Sequence, residues 1–64
     1  MQKHITMNLI DFFVTEIISE PYFEYNKWWI DVRADGYGVV SKYTLMFDTK
    51  DECLNVDIGY KFLA

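Results

Sequence analysis

The 64-residue chain contains few of the side chains from which catalytic and metal sites are built. It has one histidine, His4, and one cysteine, Cys53. A metal cluster needs more such groups. A catalytic pair of His4 and Cys53 is implausible, because His4 lies near the chain terminus and far from Cys53 in the sequence. Ser19 and Ser41 have no candidate base nearby, and the scattered carboxylates are typical of solvating surface charges. We therefore predict no enzyme activity, no metal and no cofactor.

The sequence also lacks an apolar run of the length that crosses a membrane, which is about 18 residues or more. Its first residues have neither the apolar region nor the cleavage site of a signal peptide. The single cysteine excludes an intramolecular disulfide and fits a reducing cytosol. We expect one small domain over residues 1–64, with residues 1–6 as a disordered extension that precedes a second methionine, Met7.

Basic charge is scarce, with six Lys and Arg against ten Asp and Glu and a net charge of −4. Nucleic-acid binding depends on basic side chains that contact phosphates, so this composition disfavours it. A basic patch of Lys27, Arg33 and Lys42 is the feature that could still support single-strand binding. The hydrophobic content of 52% excludes a disordered chain.

Aromatic residues are abundant, and two of them stand in the run that we interpret as the central strand, residues 27–33. Side chains alternate between the two faces of a strand. Trp28 therefore shares an apolar face with Ile30 and Val32. Trp29 shares the opposite, mostly polar face with Asp31 and Arg33. This pattern predicts an antiparallel sheet buried on one side, with Trp28 in the core and Trp29 on the surface.

Asp35-Gly36 separates this run from a second alternating run, residues 39–47, and predicts a hairpin turn because glycine accepts positive φ. We expect Gly38 to add a bulge. The returning strand places four apolar side chains on the core side, with Ser41 among them: Val39, Tyr43, Leu45 and Phe47. The opposite face of this strand carries Val40, Lys42, Thr44 and Met46.

Thr49-Lys50-Asp51-Glu52 matches the capping box that begins many helices. We predict a helix from Lys50 with an inward stripe of Cys53, Val56, Tyr60 and Leu63. Gly59 is either the end of this helix or a break within it. A short strand through residues 56–60 is the alternative.

The sequence before the central strand is compatible with more than one secondary structure. Residues 7–18 fit either a helix capped by Thr6 or a strand, and their β-branched and aromatic content favours a strand over residues 13–19. Pro21 interrupts pairing or confines it to an edge. Residues 20–27 then form a connection in which Asn26 is a turn residue. The fold class is α+β: a three-stranded antiparallel β-meander with a C-terminal helix packed on one face.

Four short segments together resemble a group of short uncharacterised proteins of tailed bacteriophages that infect enteric bacteria. They are Ser19-Glu20-Pro21-Tyr22, Trp28-Trp29 with Val32, Leu45-Met46-Phe47-Asp48-Thr49-Lys50 and Gly59-Tyr60-Lys61-Phe62-Leu63-Ala64. The resemblance covers about residues 14–64. The element order is also similar to that of the small phage inhibitor of bacterial RNA polymerase, which is an analogy of layout. The resemblance implies a product that acts in the bacterial host cytoplasm on a host or phage protein.

The leading hypothesis is a small protein-binding module. One alternative is a homo-oligomeric accessory protein whose sheet edges pair with each other. The other is a single-strand nucleic-acid binder that stacks bases on aromatic rings. The candidate partner-binding residues are Trp29, Asp31, Arg33, Tyr22, Tyr25 and Tyr37.

Overall fold

The computed structural model describes residues 10–64, which form an antiparallel sheet of five strands covered on one face by a short helix. In chain order the elements are β1 (Asp11–Ile17), β2 (Tyr22–Glu24), β3 (Lys27–Gly36), β4 (Val39–Phe47), α1 (Lys50–Leu54) and β5 (Lys61–Leu63). The α+β class with an antiparallel sheet is confirmed, but the predicted count of three strands is wrong. The predicted extension, residues 1–6, lies outside the described residues.

Strand β3 is the centre of the sheet. One of its edges pairs with β4 along nearly its whole length, from Trp28 opposite Phe47 to Gly36 opposite Val39. Its other edge is shared by two strands: β2 pairs with its first three residues and β1 with residues 32–35. Strand β5 then pairs with the far edge of β1. The central role predicted for residues 27–33 is therefore confirmed.

The β3–β4 turn lies two residues later than the Asp35-Gly36 dipeptide predicts. Gly36 still belongs to β3, and the turn residues are Tyr37 and Gly38, with φ values of 54° and 80°. Positive φ at both central residues is typical of two-residue hairpin turns. Gly36 has a different role, because a Cβ atom there would lie 2.4 Å from the Phe12 ring. The predicted Gly38 bulge is also wrong, since Gly38 is a turn residue.

The segment predicted to be a connection contains a short strand, β2. It forms a second hairpin with β3 through Tyr25 and Asn26, whose φ values are 52° and 64°. The prediction that Asn26 is a turn residue is confirmed. Pro21 stands directly before β2, where its missing amide removes no ladder bond.

Strand β1 (Asp11–Ile17) confirms a strand rather than a helix over these residues, two residues earlier than predicted. Thr6 and residues 7–9 of the predicted segment lie outside the described residues. A β-bulge at Thr15 shifts its register against β3 between Val14 and Glu16. Val14 then lies opposite Ala34 and Ile17 opposite Val32, so both lie on the core side. A bulge inserts one residue and interrupts the alternation of side chains. This explains why the sequence shows a helix-like three-residue spacing within a strand.

The core lies between the sheet and α1 and consists of Val14, Ile30, Val32, Cys53 and Val56. Trp28, Tyr43, Leu45 and Phe47 pack against this cluster, as the predicted core face requires. The prediction is wrong for Val39, which is 63% exposed because it lies next to the β3–β4 turn, beyond the core. Thr49 caps α1 with a complete capping box, which confirms the predicted helix start.

The helix ends at Leu54, much earlier than the predicted stripe requires. Cys53 and Val56 are buried and Tyr60 packs on the core, but Leu63 is exposed in β5. Gly59 has a φ of 91° and donates its amide to the Val14 carbonyl at 2.7 Å. The chain therefore turns back at Gly59 and joins the sheet, so neither a longer helix nor a strand over residues 56–60 forms.

Candidate interaction surface

The sheet face opposite α1, here called the outer face, carries most of the predicted partner-binding residues. Trp29, Asp31 and Arg33 of β3 lie on it, as the alternation predicts. Tyr22 of β2 lies there as well, because it is directly opposite Trp29. Within residues 10–64, the only helix packs on the other face.

Asp31 is the centre of a hydrogen-bond network on the outer face. Its Oδ1 atom accepts from the Tyr22 hydroxyl at 3.1 Å and from the Thr44 hydroxyl at 2.7 Å. Its backbone amide donates to Ser19 Oγ at 3.0 Å. Partial burial and donation to Asp31 raise the pKa of Tyr22. Asp31 therefore joins β2, β3 and β4 and is committed to internal contacts, although it was predicted to contact a partner.

Arg33 is also paired within the chain. Its Nε atom donates to Glu16 Oε1 at 3.1 Å, and both side chains are more than half exposed. An exposed pair of this kind contributes about 0–1 kcal/mol to stability. Lys27 forms a second ion pair, with Asp48. Two members of the predicted basic patch are thus neutralised, and this weakens the case for nucleic-acid binding.

Trp29 is held in one orientation on the outer face. Its indole Nε1–H donates to the Glu24 carbonyl at 2.8 Å, across the turn of the β2–β3 hairpin. It lies opposite Tyr22 on one side and Met46 on the other. Met46 is 52% exposed, so the three side chains form a half-buried apolar row at this end of the face.

A second apolar row at the other end was missed by sequence reasoning. Phe13 of β1 and Val40 of β4 lie on either side of Asp35, and they are 47% and 53% exposed. The Asp35 Oδ1 atom is buried and has no hydrogen-bond partner in the described part of the chain. The alternation in residues 39–47 placed Val40 on this face, but the ambiguity of residues 7–18 concealed Phe13.

Tyr25 and Tyr37 do not join these rows. They are 86% and 85% exposed and occupy the two hairpin turns at opposite ends of β3. A ten-residue strand is roughly 33 Å long at 3.3 Å per residue. The six predicted residues therefore form one group of four, Tyr22, Trp29, Asp31 and Arg33, and two separate tyrosines.

Groups for metal or nucleophilic chemistry are not assembled in residues 10–64. No cluster of His, Cys, Asp and Glu that could hold a metal ion occurs there, and no pocket is found. His4 lies outside this part of the chain. Cys53 is buried in the core, and this burial raises the pKa of its thiol. No helix in the described residues is long and apolar enough to cross a membrane.

Comparison with known proteins adds no relative to this picture. No protein-family model, no curated protein sequence and no solved structure matches the chain.

Proposed function

We propose that the chain is a small non-enzymatic protein-binding module that acts through the outer face. The observation that carries the proposal is the pair of apolar rows there, one around Trp29 and Met46 and one around Phe13 and Val40. Protein interfaces combine apolar and aromatic contacts with polar groups at their rim. The internally satisfied Asp31 network lies between the two rows.

Trp29 is the best candidate for the main anchor of this surface. Large aromatic side chains dominate the binding energy of many interfaces. The hydrogen bond from the Trp29 indole to the Glu24 carbonyl fixes its orientation before any partner arrives. A side chain that is already ordered loses less conformational entropy on binding.

Asp35 indicates what a partner would provide at the second row. Its buried Oδ1 acceptor is unsatisfied in the described residues, and an unsatisfied buried acceptor costs about 1–3 kcal/mol. A cationic partner side chain near Phe13 and Val40 would be attracted by the carboxylate of Asp35, a residue that is half-buried on this face. The net charge of −4 also favours a basic partner.

The phage resemblance supports a more specific form of the proposal. The module is then a phage-encoded modulator or inhibitor of a bacterial host protein, acting in the host cytoplasm. The four segments that carry this resemblance include Trp29 and Met46 of the outer face.

Affinity capture from a bacterial lysate, read by quantitative mass spectrometry, tests the proposal. Phe13→Ser changes an exposed side chain of the outer face. Leu54→Ser is the matched control, because Leu54 is 58% exposed but lies on α1. We expect a defined host protein to be retained by the unmodified chain and by Leu54→Ser and lost with Phe13→Ser. Equal capture by both variants, or no specific capture, would contradict the proposal.

A further inference from the structure

Among the strands of residues 10–64, β4 pairs only with β3, so its outer edge presents backbone groups without a strand partner, in a regular order. On β3, the Asp31 amide donates to Ser19 Oγ and the Asp31 carbonyl accepts from the Ile18 amide at 2.8 Å, so both groups point away from β4. Thr44, opposite Asp31, therefore makes no backbone bond to it. Because this arrangement alternates along an antiparallel ladder, the residues whose amides and carbonyls point to the free edge are Val40, Lys42, Thr44 and Met46.

This edge has few of the features that normally prevent strands from pairing. Edge strands are commonly short, bulged, or protected by proline and several charges. Strand β4 has nine residues, contains no proline and carries one charge, Lys42. Its pairing with β3 has no register shift. The edge strands β2 and β5, by contrast, have three residues each.

We propose that a second copy of this chain pairs its β4 antiparallel to the first, about a twofold axis at Tyr43. Val40 of each copy then lies opposite Met46 of the other, and Lys42 lies opposite Thr44. These four pairs would form about eight backbone hydrogen bonds, two for each hydrogen-bonded pair. Val40 and Met46 are each about half exposed in one copy, and the pairing brings them into contact.

Charge favours this register over its neighbours. A shift by two residues in one direction places the two Lys42 side chains directly opposite each other, which destabilises a strand pair. The shift in the other direction pairs Thr44 with Thr44 and shortens the ladder. In the proposed register Lys42 of one copy lies beside Thr44 of the other, whose hydroxyl donates to Asp31. Each cation therefore approaches a carboxylate of the other copy.

The dimer goes beyond the proposed function and can fail separately from it. Pairing at β4 would join the outer faces of two copies into one continuous surface. Phe13, which tests partner capture, lies on β1, and β3 separates it from the β4 edge. If the chain is a monomer and still captures a host protein, the dimer proposal is contradicted and the proposal of a protein-binding module is not.

Sedimentation velocity over a range of protein concentrations tests the dimer, with Thr44→Lys and Thr44→Glu as a matched pair. Both variants remove the same hydroxyl. We expect Thr44→Lys to weaken dimerisation roughly 2- to 30-fold, because the introduced ammonium would oppose Lys42 twice across the axis. Thr44→Glu should strengthen it within the same range. Within one copy the residue directly opposite Thr44 is Asp31, which would attract an introduced cation and repel an introduced carboxylate, so this contact shifts fold stability in the opposite direction.

Amide hydrogen exchange provides a readout that needs no variant. Amides of Val40, Lys42, Thr44 and Met46 should become protected only at high protein concentration. Amides of the alternate residues, which bond to β3, should be protected at every concentration. A monomer at all concentrations, equal effects of the two Thr44 variants, or no dependence of exchange on concentration would overturn the proposal.

Discussion

Gly36 is the residue at which one missing side chain permits the close approach of two elements. A Cβ atom at this position would lie 2.4–2.7 Å from three atoms of the Phe12 ring. Phe12 is buried and stacks on Phe62 of β5, with the ring centroids 5.5 Å apart. The glycine thus lets the β3 backbone support an aromatic cluster that joins β1 to the C-terminal strand.

We expect Gly36→Ala to lower the free energy of unfolding by about 1–3 kcal/mol, the usual cost of overpacking a core. Urea denaturation measures this directly. Phe12→Leu, which removes the Cε2 and Cζ atoms of the ring, should lower stability alone but cost less in the Gly36→Ala background. Additive costs in this double-mutant cycle would show that the Phe12 contact is not the cause.

Helix α1 is the element most dependent on a single local motif. It has five residues, and helices far longer than this are already marginal in isolation. Thr49 accepts from the Glu52 amide, and Glu52 Oε1 accepts from the Thr49 amide, so two helix-end donors are satisfied. Cys53 then anchors the helix in the core.

Thr49→Ala should therefore lower the free energy of unfolding by about 0.5–2 kcal/mol. Thr49→Ser keeps a hydroxyl at the cap and serves as the matched control, with a much smaller loss. The denaturation midpoints of the two variants give the comparison. A midpoint for Thr49→Ala that equals that of the unmodified chain would rule out a stabilising cap.

The elements that could be predicted are those specified by local sequence. The capping box fixed the helix start, and two-residue alternation assigned the faces of β3 and β4 correctly. The turn register was missed because Gly36 is required by its close approach to the Phe12 ring, which is distant in sequence, and not by the turn. Strand β2 was missed because three residues are too few to show alternation. On the outer face, the group around Trp29 was predictable, whereas Phe13 depended on a bulge in β1 that no local pattern indicates.

At the scale of the whole molecule, one sheet separates two roles by the direction of its side chains. Trp28 lies against the core cluster. The centroid of its ring is 5.3 Å from the centroid of the Phe23 ring and 5.7 Å from Lys50 Nζ. Trp29, its neighbour in sequence, lies on the outer face beside Tyr22 and Met46. Trp28 thus stabilises the fold, whereas Trp29 contributes to the outer face.

The most direct test of this account compares Trp28→Ala with Trp29→Ala in two assays on the same preparations, urea denaturation and partner capture. We expect Trp28→Ala to cost about 3 kcal/mol, the low end for a large aromatic residue because Trp28 is only partly buried. Trp29→Ala should cost at most about 2 kcal/mol, since it loses one hydrogen bond and limited packing. It should nevertheless abolish capture at temperatures where it remains folded. A larger stability loss for Trp29→Ala, together with unchanged capture, would contradict the assignment of the two faces.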